Sequence, residues 1–251
     1  RTSYGIVERD RILRINRNPY GKFKTTGETY FTSQVKLLAP TIPTVFYAAG
    51  QNYEKHAQWA SRWMGKPVAP SPYPDPGYRA QNAIIAHGEP IVIPEDSAEV
   101  HYEAELAVVI GRKAYRVSEK DALEYVLGYT ICNDVSERTW QLADKNLWRA
   151  KNTDTFNPLG PWIATNIDPM NVDVTTRING EVVHQYNTSN MVWGPSAYIS
   201  VMSRYFTLLP GDLIIMGVDG APGPINPGDV VEIEVPGIGV LKNPVVQGKY
   251  P

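Results

Sequence analysis

Two glutamates, Glu103 and Glu105, lie two residues apart in the segment 101–110, whose other residues are mostly apolar and typical of a buried β-strand. Side chains at i and i+2 of a strand point to the same face, roughly 6–7 Å apart, so the two carboxylates are expected side by side. Two buried carboxylates are too costly to keep unless a positive charge lies between them. Hard divalent cations such as Mg²⁺, Mn²⁺ or Ca²⁺ bind oxygen ligands of this kind. The alternative is a half-exposed strand that carries two solvated glutamates.

A third carboxylate, Asp134, follows the predicted strand 129–133 and precedes a helix that is expected to begin near Ser136. The end of a strand is a rigid place from which to present a functional side chain. Three carboxylates leave about three positions of an octahedral Mg²⁺ shell for water and substrate oxygens. The pattern therefore indicates a metal site formed by Glu103, Glu105 and Asp134. The structural alternative for Asp134 is a helix N-cap.

Two basic side chains are candidates for charge stabilisation and proton transfer. Lys151 begins the segment 151–161, where it could neutralise an anionic substrate, stabilise a developing enolate or simply be a solvated lysine on a loop. His56 lies on a predicted helix after a turn at Gly50, and it could transfer a proton at neutral pH or be a structural histidine. The other three histidines do not have the spacing of a zinc site.

The composition excludes several classes of protein. With 251 residues, of which 43% are apolar, the chain is long enough for one large domain and a small appendage. Its net charge of −2 provides no basic surface for nucleic acid or anionic lipid, and no apolar stretch is long enough to span a bilayer. The single cysteine, Cys132, excludes an internal disulfide. Because the start has no signal-peptide pattern, we expect a cytoplasmic protein that binds neither nucleic acid nor membrane.

The order of predicted elements indicates an α+β fold that is rich in strands and has no regular βαβ alternation. Residues 1–44 are expected to form a small N-terminal β appendage and a linker, and residues 45–251 the main domain. Asn52 is a candidate N-cap for a helix that ends near Met64, and Asn179-Gly180 is typical of a type I′ hairpin turn. The predicted strands span 3–7, 11–15, 46–50, 90–94, 101–110, 129–133, 172–178, 181–186, 212–216 and 229–235.

Three further segments have clear local signals. Residues 118–121 form a capping box, which predicts a helix that ends near residue 128. Residues 66–77 are dense in proline, which excludes a helix or a central strand and is typical of a lid or a binding loop. Residues 158–161, Pro-Leu-Gly-Pro, are interpreted as a rigid turn.

Five segments resemble, in this order along the chain, motifs of the fumarylacetoacetate hydrolase superfamily. The resemblance extends from about residue 45 to the C-terminal end, and the order of all five segments makes it specific. The segments are 47–56, the strand around Glu103-Ala-Glu105, 128–138, 151–162 and 228–244.

The resemblance implies a mixed β-sandwich roll of the type found in the C-terminal domain of fumarylacetoacetate hydrolase, usually in a homodimer. It implies Mg²⁺ or Mn²⁺, with Ca²⁺ as a substitute, bound by Glu103, Glu105 and Asp134. It also implies that Lys151 and His56 lie near the substrate. Members of the superfamily act on small 2-oxo acids, which they hydrolyse at a carbon–carbon bond, decarboxylate or tautomerise.

Three positions depart from the usual motifs. Many members have an acid three residues after the helix histidine, but this chain has Trp59, so Glu54 or a more distant carboxylate would have to orient His56. The lysine-containing segment ahead of the glutamate strand is replaced, so Arg79 is expected to supply the cation. Asp219 stands in a changed Gly-Thr-Pro motif, either as a turn residue or as a substrate contact. The predicted substrate-binding residues are Gln51, Tyr53, Arg79 and Asp219.

The leading hypothesis is a divalent-metal-dependent hydrolase of aromatic catabolism that cleaves a carbon–carbon bond in a 2,4-dioxo acid such as an acylpyruvate. A metal chelated by the 2-oxo acid would stabilise the enolate that forms when the bond breaks. The catalytic candidates are His56, Lys151 and Glu54. One alternative is a decarboxylase or keto–enol tautomerase of 2-oxo acids on the same site. Another is a catalytically idle relative that binds a ligand.

Overall fold

The computed structural model describes residues 2–249, most of whose regular structure is short strands, which confirms the strand-rich α+β prediction. The strands are β1 (Gly5–Glu8), β2 (Arg11–Ile15), β3 (Thr25–Phe31), β4 (Phe46–Ala49), β5 (Pro76–Arg79), β6 (Ile84–Ile85), β7 (Ile91–Ile93), β8 (Val100–His101), β9 (Ala104–Ile110), β10 (Val126–Asn133), β11 (Ser136–Glu137), β12 (Asn157–Ala164), β13 (Asp173–Ile178), β14 (Glu181–Asn187), β15 (Leu213–Ile215), β16 (Val230–Val235) and β17 (Gly239–Gln247). The α-helices are α1 (Glu54–Met64), α2 (Arg138–Ala143), α3 (Trp148–Asn152) and α4 (Pro195–Ser203).

The chain divides into two compact units between Leu38 and Ala39. In the first unit, β1, β2 and β3 form an antiparallel sheet in which β2 is central. The predicted strands 3–7 and 11–15 correspond to β1 and β2, whereas β3 was not predicted from the sequence. An ion pair between Arg14 and Glu28 joins β2 to β3.

The second unit contains two large sheets and one small one. The seven-stranded sheet has the order β5-β4-β15-β9-β10-β12-β6, and the five-stranded sheet has the order β14-β13-β16-β17-β7. Strands β8 and β11 form a separate pair. One hydrophobic core includes side chains from both large sheets, so the unit is a mixed β-sandwich. Among the described residues, none of the helices is both long and apolar enough to cross a bilayer.

Strand β9 is central to the larger sheet, and every one of its residues is buried. Because alternate side chains of a strand face opposite sides, Leu106 and Val108 enter the core shared with Ile233 of the other sheet. Glu105, one position away, faces the opposite side. Strand β10 runs antiparallel to β9 and places Asn133 opposite Ala104. The ends of β9 and β10 that carry the carboxylates are therefore adjacent.

The starts predicted for two helices, at Asn52 and at the capping box 118–121, were only partly correct. Helix α1 ends at Met64 as predicted, but Asn52 does not cap it: its side-chain amide donates to the carbonyls of Met216 and Trp193. The predicted capping box precedes a 3-10 helix, Glu119–Tyr125, and the Ser118 hydroxyl donates to the Asp121 carboxylate rather than capping a backbone N–H.

The predicted Pro-Leu-Gly-Pro turn is also wrong, since all four residues belong to strand β12. The proline-dense segment has irregular structure up to β5, which lies at the edge of its sheet, where a proline costs no ladder hydrogen bond. The Asn179-Gly180 hairpin is confirmed, with positive φ at both turn residues.

A prediction for stability follows from Glu137, which is fully buried at the start of α2. Its carboxylate accepts hydrogen bonds from the N–H groups of Ala98, Glu99 and Trp140 and from the Thr139 hydroxyl. Glu137→Ala leaves these buried donors without a partner, so we expect the free energy of unfolding to fall by about 2–4 kcal/mol in urea denaturation. The exposed Glu124→Ala serves as the control and should change it by less than about 0.5 kcal/mol. Equal effects of the two substitutions would contradict this role of Glu137.

Candidate active site

The three carboxylates predicted to bind a metal lie together. Glu103, Glu105 and Asp134 are all buried, and each offers an oxygen within 4.8 Å of the oxygens of the others. Backbone pairing holds them: the Asp134 N–H donates to the Glu103 carbonyl at 2.8 Å, and the Glu103 N–H donates to the side chain of Asn133 at 2.9 Å. Asp134 therefore follows a strand, as predicted, but caps no helix; the N-cap of α2 is Glu137.

Three cations from three different elements compensate two of these carboxylates. Lys151 Nζ lies 2.6 Å from an oxygen of Glu103 and 2.6 Å from an oxygen of Asp134. Arg138 donates to Glu103 at 2.7 Å, and Arg79 forms two hydrogen bonds of 2.7 Å with Asp134. The paired geometry of Arg79 and Asp134 is the strong form of a guanidinium–carboxylate contact.

These ion pairs keep two of the carboxylates ionised. Burial by itself raises the pKa of Glu103, but the charges of Lys151 and Arg138 outweigh burial and hold that pKa well below its usual range. In the same way, the charges of Arg79 and Lys151 overcome the effect of burial and lower the pKa of Asp134. Both groups are therefore anionic oxygen donors at neutral pH.

Glu105 has a different environment. Its carboxylate accepts a hydrogen bond of 2.5 Å from the Gly217 N–H, and none of the ion pairs within residues 2–249 includes it. Burial, followed by the negative charges of Asp134 and Glu103, raises its pKa well above the usual range. A hard dication could replace that proton. Three clustered carboxylates, one of them without a protein cation, therefore fit a Mg²⁺ or Mn²⁺ ion.

His56 is mostly buried on α1, and its Nδ1 lies 2.9 Å from the carbonyl oxygen of Gly220. A carbonyl oxygen only accepts, so Nδ1 must carry the proton, and the neutral ring has its lone pair on Nε2. Burial lowers the pKa of His56, although the negative charge of Glu103 and the Gly220 carbonyl act in the opposite direction. The charges of Arg138 and Lys151 lower it further. His56 is therefore a neutral base whose pKa responds to the charges of the carboxylate cluster.

The structure gives other surroundings to several residues with predicted roles. Glu54 is exposed at the first turn of α1, and the partner of His56 Nδ1 is the Gly220 carbonyl rather than a carboxylate. Lys151 lies in the short helix α3 and not on a loop, and its side chain is buried. Arg79 was predicted to contact the substrate, but its guanidinium binds Asp134.

The remaining predicted substrate-binding residues are buried or half-buried. Gln51 has a buried side-chain oxygen without a hydrogen-bond partner in the described part of the chain. Tyr53 is fully buried, and burial followed by the charge of Glu105 raises its pKa. Asp219 accepts hydrogen bonds from the Asn190 side chain and the Gly220 N–H, which makes it part of the turn that holds His56. Their roles as substrate contacts stay predictions.

Arg138 is the site residue to which the sequence assigned no role. It is fully buried and joins Glu103 at 2.7 Å to Gln141, which accepts its other terminal N–H at 2.7 Å. The available signal was its position four residues after Asp134, within one of the motifs that carry the resemblance. An arginine beside a predicted carboxylate cluster is a candidate counter-ion.

Comparisons with known proteins identify the family of the chain. Residues 45–246 match the family described as "Fumarylacetoacetate (FAA) hydrolase C-terminal", and residues 1–40 match "Rv2993c-like, N-terminal". The crystal structure of 5-carboxymethyl-2-hydroxymuconate delta-isomerase from Mycobacterium smegmatis is 40% identical, with a TM-score of 0.87 over 98% of this chain and 94% of that one. The mitochondrial oxaloacetate tautomerase fahd2 of Xenopus laevis is 37% identical over 85% of this chain and 69% of its own length.

A third comparison concerns the metal. Maleylpyruvate hydrolase from Sphingobium sp. SYK-6, solved with manganese(II) and pyruvate, is 25% identical, with a TM-score of 0.79 over 98% of this chain and 96% of that chain. The relatives thus include isomerases, a tautomerase and a hydrolase. The family match covers most of the sequence, and the solved structures share its fold. The chain belongs to the fumarylacetoacetate hydrolase family.

Proposed function

We propose that this protein is a divalent-metal-dependent enzyme that interconverts the keto and enol forms, or double-bond isomers, of a dianionic 2-oxo acid. The observation that carries the proposal is the state of His56: a neutral imidazole whose Nδ1–H is held by the Gly220 carbonyl. Such a ring can take a proton from carbon and return it to oxygen without retaining charge. Isomerisation requires this proton transfer and, unlike hydrolysis, no activated water.

Mg²⁺ or Mn²⁺ bound by Glu103, Glu105 and Asp134 would polarise the ketone of the substrate as a Lewis acid. Charge balance supports the class of substrate. The three carboxylates, when ionised, are matched by Arg79, Arg138 and Lys151. Together with a dication the group has an excess of two positive charges, which favours a 2-oxo acid with two carboxylates.

The residues of the chain have distinct roles in this proposal. His56 Nε2 removes a proton from the carbon next to the ketone and delivers it to the enol oxygen, or the reverse; for double-bond isomers it delivers the proton to another carbon of the conjugated chain, so that no atom is gained or lost. Lys151, which lies between Glu103 and Asp134, stabilises negative charge that develops on the substrate oxygen. Arg138 keeps Glu103 ionised and in place. The names of the related isomerase and tautomerase, 40% and 37% identical, support this reaction class.

A second candidate is the hydrolysis of a carbon–carbon bond in an acylpyruvate-like acid. The concentration of buried cations around the carboxylates favours it, because hydrolysis needs an additional stabilising group for the oxyanion of its tetrahedral intermediate. It also needs a base strong enough to activate water, and a histidine oriented by a backbone carbonyl is a weaker base than one paired with a carboxylate. We therefore rank hydrolysis second.

The broader setting of the reaction is also a proposal. We infer a homodimer, a cytoplasmic location and a role in aromatic catabolism from the resemblance and the sequence. The choice between Mg²⁺ and Mn²⁺ belongs to the same set, and the hydrolase related to this chain was solved with manganese.

Substitution of His56 tests the proposed reaction. With Mn²⁺-loaded protein, the conversion of enol-oxaloacetate to its keto form, followed by ultraviolet absorbance, should be about 100- to 1000-fold slower in His56→Gln because the proton carrier is lost. His87→Gln is the matched control and should keep wild-type rates, since His87 binds the backbone of Lys242 away from the site. Turnover of acylpyruvates without any tautomerisation by the wild type would select the hydrolase instead.

The pH dependence tests the protonation state of the base. Burial lowers the pKa of His56 below its ordinary value of 6.5, and the base acts only when it is neutral. We expect kcat/KM for tautomerisation to fall with decreasing pH, with the midpoint of this acid limb below 6.5. The measurement is a pH–rate profile of the wild type beside His56→Gln, which should lose the limb. A midpoint above 6.5 would contradict the assignment.

Removal of one carboxylate tests the metal site. Glu105→Gln keeps the size of the side chain and an oxygen for the Gly217 N–H, but an amide is a weaker ligand. We expect Mn²⁺ affinity, measured by isothermal titration calorimetry, to fall at least about tenfold while the circular dichroism spectrum stays the same. Glu124→Gln, an exposed glutamate, is the control. Unchanged affinity in Glu105→Gln would remove this residue from the metal site.

A further inference from the structure

One face of helix α1 carries a column of three rings beside the carboxylate cluster. His56, Trp59 and Trp63 lie three and four residues apart, so their side chains stack along the same face of the helix. The His56 and Trp59 ring centroids are 5.1 Å apart with 30° between the planes. The rings of Trp59 and Trp63 are parallel to within 2°, with centroids 5.6 Å apart.

The same indole also contacts the buried arginine of the site. The Arg138 guanidinium carbon lies 5.0 Å from the centroid of Trp59, within the range of a cation–π contact. Arg138 donates to Glu103 through one terminal nitrogen and to Gln141 through the other, while its Nε is buried without a hydrogen-bond partner in the described residues. The indole of Trp59, with that of Trp63 at 5.8 Å, therefore supports a guanidinium whose hydrogen bonds are incomplete.

Trp59 thus contacts both the proposed base, His56, and Arg138, the cation that binds the proposed metal ligand Glu103. Within the described residues His56 makes one hydrogen bond, through Nδ1, and because the χ2 distribution of histidine is broad, that bond alone leaves the ring some freedom to tilt. A flat surface against the ring face removes this freedom. The charged groups that act on His56 are Glu103, Arg138 and Lys151, and the titratable His184 interacts with it as well, so a change in ring orientation would alter the distance from Nε2 to each of them.

We propose that Trp59 is a positioning residue: its indole holds the imidazole of His56 and the guanidinium of Arg138 in the orientation that proton transfer requires. The inference builds on the proposed function, since it assigns His56 as the base. The contact between the two rings can be tested without turnover, because Trp59 covers one face of the His56 ring whether or not a substrate is bound. Loss of the indole therefore has two separate consequences, one for rate and one for protonation.

The test compares Trp59→Leu, which removes the aromatic surface, with Trp59→Phe, which keeps one. For Mn²⁺-dependent tautomerisation of oxaloacetate we expect kcat of Trp59→Leu to be about 10- to 100-fold below that of the wild type, with KM changed less than about twofold. In Trp59→Phe, which keeps an aromatic ring, kcat should be restored most of the way to the wild-type value. In the metal-free protein, histidine-selective NMR titration should show the pKa of His56 rising towards its ordinary value in Trp59→Leu, because the ring becomes hydrated.

Trp63→Leu is the control for lost volume and for a weakened contact with Arg138, whose guanidinium carbon also lies 5.8 Å from the Trp63 centroid. Among the ring contacts of residues 2–249, His56 pairs with Trp59 and not with Trp63, so Trp63→Leu should leave the NMR pKa of His56 where it is in the wild type. Equal pKa values in wild type and Trp59→Leu, or equal shifts in both leucine variants, would overturn the inference. Absence of tautomerisation in the wild type would instead contradict the proposed function, and the titration would still decide the role of Trp59.

Discussion

The structure of the site depends on the compensation of charge around three buried carboxylates. Antiparallel pairing of β9 with β10 brings Glu103 next to Asp134, and each of these anions is stable there only because cations reach it from elsewhere in the chain. Lys151 contacts both of them, while Arg138 pairs only with Glu103 and Arg79 only with Asp134, so the removal of either carboxylate would leave a buried arginine without its ion pair. The positions of α2, α3 and β5, which carry the cations, are therefore tied to the centre of the larger sheet.

The compensation of charge by protein cations does not extend to Glu105. Its neighbours Glu103 and Asp134 have strong ion pairs, while Glu105 has only a backbone N–H donor and a raised pKa. A stable core alone would not require a carboxylate at this position, which directly precedes Leu106 in β9, because an apolar residue there would carry no charge to compensate. A buried carboxylate whose pKa is raised for lack of a cation is the group expected to exchange its proton for the proposed metal ion, because proton and metal compete for the same oxygen.

Much of the fold and site could be predicted from residue types and spacing, and the errors have physical causes. The apolar run of β9, the alternating pattern of β13, the turn that precedes β16 and the Asn179-Gly180 turn depend on local rules, and these elements were predicted correctly. Strand β12 was interpreted as a turn because proline is normally excluded from inner strands, and tertiary packing overrode that preference. The cation partners were the least accessible feature, since Arg79, Arg138 and Lys151 are distant in sequence and only the fold brings them to the carboxylates. Local signals cannot reveal which arginine meets which glutamate.

The choice of a backbone carbonyl as the partner of His56 follows from the same charge constraint. A fourth carboxylate next to the ring would add a negative charge near Glu103, and it would favour the protonated imidazole, which cannot accept a proton at neutral pH. The Gly220 carbonyl orients Nδ1 without adding charge, so the ring stays neutral beside an anionic cluster. An orienting group without charge restrains the ring less strongly than a carboxylate does, and the indole of Trp59 against its face supplies the remaining restraint. A tryptophan at position 59 and a neutral His56 are thus connected: the uncharged partner keeps the ring neutral, and Trp59 compensates for its weaker restraint.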